Sequence, residues 1–548
     1  MLALSTSVRP TDRHGLRAAS CAGVISGICL TGALVLCTVA ARADAPPAPA
    51  TEYQAPAVFE RVEELRLDNG MLFLLLPRHD VPTISGRIRV RAGNVDCPKG
   101  ASGVAHMFEH MAFKGTDRIG AIDAALERLV EDSIKVVGWA LAEEMARQDR
   151  ADTARVHQLR EELDRLNERQ AEVTEPDAFV RLYDRLSYYF NAWTSRDFTE
   201  YETDVPSNAL EVWMLMESER LQHPSFRGFY PERDVVREEE KEGLDDPYRV
   251  AWDLLFATAY LAHPYRLPII GYGSDIATLT QQAAEAFYET YYVPGNMVAT
   301  LVGDFDPDEA RRLAQAYFGD IPARPVPPEI RTVEPPQTGM RRAVLRQGTE
   351  SELFLAFHGY APTDRRSLVL SLLADVLSRD ITSRLDQRLD IQEHAARQVW
   401  ASASLGDRYP GLLVLHAAPL EGFTNEQIEQ MIWEELERVV TEPVSHERLE
   451  EIKASRRKRF YRSLATNAQL AETLTEAQMV YGHWRSYLDA RREIDTIAVE
   501  EITAMARDLF QRDKATVIQV EPSEAAANEA AATEAAANEA ANAKGGAQ

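Results

Sequence analysis

Cysteine is almost missing from this sequence: there are four in 548 residues, and Cys21, Cys29 and Cys37 all fall in an N-terminal leader. Beyond that leader only Cys97 remains, which excludes an internal disulfide and a thiolate metal cluster. Excess positive charge is missing too. With 60 Lys and Arg against 86 Asp and Glu the formal charge is −26, so nucleic acid is not an expected partner. What is present is a globular composition, 45% apolar and 27% charged, in a chain too long for one ordinary core.

Arg9, Arg13 and Arg17 precede an apolar run from Ala22 to Ala40, and Ala41-Arg42-Ala43 follows with the small-x-small form of a cleavage site. This predicts an export signal over 1–43, with an uncleaved membrane anchor as the alternative. A Pro/Ala-rich lead over 44–57 comes next. Leu65 to Pro77 then reads as a hairpin turning at Asp68-Asn69-Gly70, and Ile84 to Val90 as a second strand. From 122 to 186 the texture becomes helical. Val156, Leu159, Leu163 and Leu166 form a short coiled-coil-like seam there, which predicts a helical hairpin protruding from its domain.

Strand-like segments return at Asn191 to Ser195 and Phe198 to Val205. Helices are expected over Asn208–Leu221, Pro231–Leu244 and Ala283–Tyr292, with a buried strand from Met297 to Val302. A Pro-rich linker over 323–337 separates this part, 58–322, from a second, 338–520, in which the same order of elements recurs. The expected class is therefore α+β: two homologous sandwich domains, each a mixed sheet covered by helices, with the helical insertion in the first. The tail, 521–548, is a low-complexity Ala/Glu segment with no apolar stripe to bury.

The chemistry concentrates in His106-Met107-Phe108-Glu109-His110. On a helix the two imidazoles stand one turn apart on one face and can share a tetrahedral Zn²⁺, leaving Glu109 beside them as a base. A catalytic zinc needs a third protein ligand. In Glu232-Arg233-Asp234-Val235-Val236-Arg237-Glu238-Glu239-Glu240 the inward arc marked by Val235 and Val236 includes Glu232 and Glu239, whereas Glu238 and Glu240 fall outside it. Glu239 is thus the expected ligand, and Glu232 the carboxylate that orients an imidazole N–H.

These residues, with Leu67-Asp68-Asn69-Gly70, Arg91-Ala92-Gly93, Asn191-Ala192-Trp193-Thr194-Ser195, His263-Pro264-Tyr265 and Val302-Gly303-Asp304, resemble the pitrilysin/insulinase family of inverted-motif zinc peptidases. The type resembled is the bacterial two-domain one related to mitochondrial processing peptidase. The resemblance implies one Zn²⁺ per chain on His106, His110 and Glu239, with Glu109 activating the water. It further implies that Asn191 and Ala192 pair with the substrate backbone, that Phe113 borders the cleft, and that peptides are cut in a chamber formed with a second, identical or homologous, chain. For an exported protein of this type the expected location is the periplasm. A scaffold subunit without activity, or a zinc-bearing subunit that needs an inactive partner, are the alternatives. His263 is expected to be structural rather than a ligand. One departure stands out: where active relatives carry an Arg and a Tyr seven residues apart, this chain offers Asp390 and Arg397. An acid cannot donate to an oxyanion.

Overall fold

The computed structural model describes residues 56–403, 406–526 and 528. The predicted signal (1–43), most of the lead after it and most of the Ala/Glu tail lie outside these residues. Two mixed sheets are built from β1 (Glu63–Arg66), β2 (Leu72–Pro77), β3 (Thr83–Val90), β4 (Tyr189–Thr194), β5 (Thr199–Pro206) and β6 (Met297–Gly303), and from β7 (Arg341–Arg346), β8 (Glu352–His358), β9 (Ala396–Ser402), β10 (Leu412–Pro419) and β11 (Thr516–Glu521). The first runs β1-β2-β6-β3-β5-β4 and the second β7-β11-β8-β10-β9. Leaving β1 aside, the orders are identical. In each sheet the first and last strands pair in parallel and every other pairing is antiparallel, so the duplicated α+β fold expected from the sequence is present.

The β1–β2 hairpin turns where Gly70 takes φ 98°, which a side chain would resist. Its partner Asn69 ties the turn down by donating to the carbonyls of Phe318 and Ile321 at 2.7 and 3.0 Å. On the first sheet one face meets the main core, which holds Phe73, Ile88, Phe108 and Trp213. The other face takes a helix from the opposite end of the chain, Asn467–Tyr481, whose Thr475 hydroxyl donates to that of Thr300 at 2.8 Å. The exchange is reciprocal. A helix of the first half, Pro247–Ala259, lays Ala251, Leu255 and Phe256 on Phe354, Ala356 and Val414 of the second sheet, while Leu353, Leu355 and Phe357 point into the other core. Between Phe318 and Arg341 there is no helix or strand, as the prolines predict. Even so, Glu334 in this stretch accepts from the backbone N–H groups of Leu261, Ala262 and His263 at 2.8, 2.8 and 3.0 Å.

The helical insertion departs from expectation in its placement. It comprises α2 (Ala124–Met145), α3 (Thr153–Glu172) and α4 (Ala178–Leu186), following α1 (Val104–Met111). It does not protrude: Val130, Ile134 and Leu141 of α2 and Leu159 and Leu163 of α3 belong to the main core. The seam read from Val156 to Leu166 is real, but the opposite side of α2 is apolar as well and seeks the body of the protein. A buried ion pair locks the base, with Arg227 Nε and Nη2 donating to Glu127 at 2.6 and 2.9 Å. Gly138 is where α2 meets its neighbour, since a Cβ there would lie 1.9 Å from the ring of Tyr230. Alanine normally gains about 1 kcal/mol over glycine in a helix. Here overpacking against a buried ring costs about 1–3 kcal/mol, so Gly138→Ala is expected to lower the melting temperature, a result that thermal unfolding checks directly.

Candidate metal centre

The helix α1 exists because Val104, Ala105, Met107, Phe108 and Met111 are buried on its core side, leaving His106, Glu109 and His110 on the remaining arc. Its start is fixed by two crossing glycines. Gly103 has φ 86° and a Cβ on it would sit 2.2 Å from the carbonyl oxygen of Ile270, while one on Gly271 (φ 92°) would sit 2.4 Å from that of Ser102. Two helices follow β5: α5 (Leu210–Gln222) and α6 (Phe229–Leu244), the latter bringing Glu232 and Glu239 against α1.

The structure brings together all three predicted ligands. The ring nitrogens of His106 and His110 and a carboxylate oxygen of Glu239 lie within 4.8 Å of one another. Glu239 Oε2 is 3.8 Å from His106 Nε2 and 3.7 Å from His110 Nε2. Zinc bonds of 2.0–2.1 Å in a tetrahedron separate ligand atoms by about 3.3 Å. The observed gaps are a few tenths of an ångström wider, within rotamer adjustment, so the donor set fits Zn²⁺. Two nitrogens and one oxygen leave a fourth position open.

Glu232 sits where the sequence placed it. Its Oε1 is 2.9 Å from His110 Nδ1, and its other oxygen pairs with Lys114. That bond commits the Nδ1 proton of His110 and turns Nε2 toward Glu239. Burial opposes charge on His110, but the hydrogen bond to Glu232 and the carboxylates around it outweigh this and raise its pKa. For His106 nothing compensates: burial, then His110 and Arg249, lower its pKa to about 3, so the imidazole is held neutral, the form that ligates a metal. Its Nδ1 is buried without a hydrogen-bond partner among the described residues. Glu232→Gln is expected to weaken zinc binding by about 10–100-fold, measured by competition with a chelator.

Glu109 is held by a residue whose role the sequence did not reveal. The hydroxyl of Thr194 donates to Glu109 Oε2 at 2.6 Å. Burial raises the pKa of Glu109, and the Thr194 bond and His110 pull it partly back. The signal was the alternation of β4, which sends Phe190, Ala192 and Thr194 to the face that α1 occupies. Asn191 and Ala192 lie on β4, the edge strand of the first sheet. Phe113 is half-buried, its ring 6.3 Å from those of Phe190 and Tyr201, with the Arg220 guanidinium 4.6 Å above it.

Other expectations resolve as follows. Val236 is buried but Val235 is 41% exposed, so the inward arc of α6 is narrower than predicted. Glu239 still falls on it, because Glu232 and Glu239 flank the line of Val236 that meets α1. Glu238 points away and pairs with Lys241 at 2.6 Å. His263 is no ligand; it accepts from Tyr265 N at 3.2 Å and caps a turn. Arg397 is engaged by Glu350 and Glu352 at 2.6 and 3.1 Å, and Asp390 is exposed in a π-helical segment, Asp386–Gln392.

Comparison with known proteins agrees with this fold. The sequence profile described as "Peptidase M16 inactive domain" matches residues 278–456, a stretch that begins after Glu239 and contains none of the candidate ligands. The chain is 23% identical to the zinc protease PqqE of Helicobacter pylori over 480 residues, covering 85% of this chain and 94% of that one. Among solved structures, a protease from Helicobacter pylori superposes with a TM-score of 0.71 at 20% identity, covering 84% of this chain and 99% of the other. The periplasmic protease PqqL of Escherichia coli gives 0.64 at 18% identity, with 86% of this chain matched to 48% of that one. No helix among the described residues is long and apolar enough to cross a membrane. Profile, relatives and duplicated fold agree in one direction: the chain is similar to the peptidase M16 proteins, the pitrilysin/insulinase family.

Proposed function

We propose that this chain is a zinc-dependent endopeptidase that hydrolyses peptides or small unfolded proteins, with one Zn²⁺ on His106, His110 and Glu239. The observation that carries the proposal is the meeting of these three donors beside a carboxylate that Thr194 holds in place. Zinc there would polarise the scissile carbonyl and the attacking water. Glu109, its pKa raised by burial, takes the proton of that water and returns it to the leaving amine. Glu232 keeps His110 oriented, and Lys114 fixes Glu232 in turn.

An extended peptide added to the outer edge of β4 would bond to the backbone at Asn191 and Ala192, giving affinity with little demand on side chains. Phe113 borders this cleft. An enclosed chamber requires two such chains, and PqqL supports that reading, since this chain corresponds to 48% of its length. The periplasmic location in that protein's description also favours export of this one. A second reading, a zinc-bearing subunit completed by an inactive homologous partner, is favoured by the engagement of Arg397 with Glu350 and Glu352.

The test is to purify the chain, determine its mass in solution, and incubate it with an unstructured peptide with and without a chelator. Cleavage by a homodimer, abolished by the chelator and restored by zinc, is the expected result. Zinc bound without cleavage moves the assignment to the second reading; failure to bind zinc removes both.

A further inference from the structure

Beside the candidate metal centre stands Arg249, an arginine that makes no hydrogen bond among the described residues. It lies near the start of the helix Pro247–Ala259, α7, which follows α6 directly. It is half-buried, and among the described residues it makes no hydrogen bond and no ion pair within 4 Å; the carboxylate of Asp253, one turn on along the helix, attracts it from farther away and is itself 3.8 Å from Arg196. Its guanidinium rests on Gly243: a Cβ there would meet Cζ and Nη1 at 2.6 Å and Nε at 2.8 Å. Gly243 is four residues beyond Glu239 on α6, so the two share one helix face a turn apart. The absence of a side chain at Gly243 is therefore what lets the guanidinium lie along the ligand-bearing face. Arg249 is also one of the two charges that oppose protonation of His106.

A guanidinium stays charged at every accessible pH and carries five N–H donors. Half-buried and free of hydrogen bonds within the chain, its N–H groups are open to an incoming acceptor. Glu109 stands on α1 with Thr194 behind it, whereas Arg249 comes from α7 and lies against α6 at Gly243, one turn from Glu239.

We propose that Arg249 is a catalytic residue of the peptidase, donating from its guanidinium to the carbonyl oxygen of the scissile bond as that oxygen becomes an anion. This rests on the peptidase function proposed above. Water adds to the carbonyl carbon, the π electrons move onto oxygen, and Arg249 bonds to that charge without giving up its proton. When the C–N bond breaks, the electron pair returns to the carbonyl and the amine leaves with the proton carried by Glu109. The donor is worth most when the charge has formed, so its loss should fall on kcat rather than on KM.

The test separates anion recognition from activity. In a zinc-loaded Glu109→Gln chain, which binds without turning over, affinity is measured by calorimetry for a peptide and for its phosphonamidate counterpart, whose tetrahedral anion imitates the reacting centre. Adding Arg249→Gln is expected to weaken the phosphonamidate by about 10²–10³-fold and to leave the amide peptide and the zinc content unchanged, with Arg249→Lys recovering part of the loss. In the active chain the same substitution should lower kcat by a similar factor at nearly constant KM. Gly243→Ala, which pushes the guanidinium aside, should reproduce part of the effect. Equal losses for both ligands, a loss of zinc, or no change in either affinity would each overturn the assignment. If the Glu109→Gln parent binds neither ligand, the peptidase reading falls and this assignment with it.

Discussion

Glu109→Gln is expected to abolish measurable cleavage while leaving zinc in place. The substitution keeps the shape and the hydrogen bond from Thr194, which at 2.6 Å can be made to an amide oxygen as well as to a carboxylate. It removes the one group placed to accept a proton. General-base contributions are about 10²–10⁴ in rate, and the upper end applies here. The other two carboxylates at the cluster are occupied: Glu232 is committed to His110 and Lys114, and Glu239 faces the two histidines. Zinc content by atomic emission and kcat on an unstructured peptide are read on the same preparation. Loss of zinc along with activity would show Glu109 to be a ligand and the assignment of roles on α1 to be wrong.

The second large effect is expected at Glu239. Replacing it with Gln removes the only anionic ligand of the three, leaving two imidazoles and a neutral amide oxygen, a poor partner for Zn²⁺. Zinc affinity should fall by more than the 10–100-fold expected for Glu232→Gln. The adjacent Glu238→Gln should change it hardly at all, because that carboxylate is exposed and paired with Lys241. The comparison is sharp because both variants lose the same charge from neighbouring positions, so long-range electrostatics is nearly cancelled. Since a ligand that binds only the folded state raises its stability, excess zinc should raise the melting temperature of wild type and of Glu238→Gln, but not of Glu239→Gln. Equal shifts in all three would contradict the ligand assignment.

The legible part of this site was the part written in local periodicity. The spacing of His106 and His110 on one helix, and of Glu232 and Glu239 on another, each needs only a 3.6-residue repeat, and both arrangements are present. The error at Val235 has the same origin. A short arc on a helix that is polar almost all round was drawn from two valines, of which only Val236 is buried. The Thr194 bond to Glu109 joins residues 85 positions apart, and no local pattern specifies which strand will lie beside α1.

For the fold, a recurring order of elements along the chain followed from apolar runs, but the strand Ala396–Ser402 and the exchange of helices between the halves did not. Pro247–Ala259 was absent from the expected elements, although Asp246 caps it by accepting from Tyr248 N and Pro247 occupies its first turn. Those signals were local and legible; its destination on the far sheet was not. The insertion teaches the reverse. Its seam was visible in the sequence, yet that Gly138 receives the ring of Tyr230 depends on two segments that meet only in the folded chain. Arg249 is illegible for a related reason, since an arginine in a helical segment is ordinary until the folded chain lays it against Gly243, one turn from Glu239.

The central claim is that His106, His110 and Glu239 hold one zinc ion beside Glu109. Crystals of the full chain grown with zinc, measured on both sides of the zinc absorption edge, test it most directly. The account predicts a single anomalous peak per chain, within about 2.0–2.2 Å of His106 Nε2, His110 Nε2 and a carboxylate oxygen of Glu239. A peak ligated by Glu232 or Glu238 in place of Glu239, or no peak between the two histidines, would contradict it.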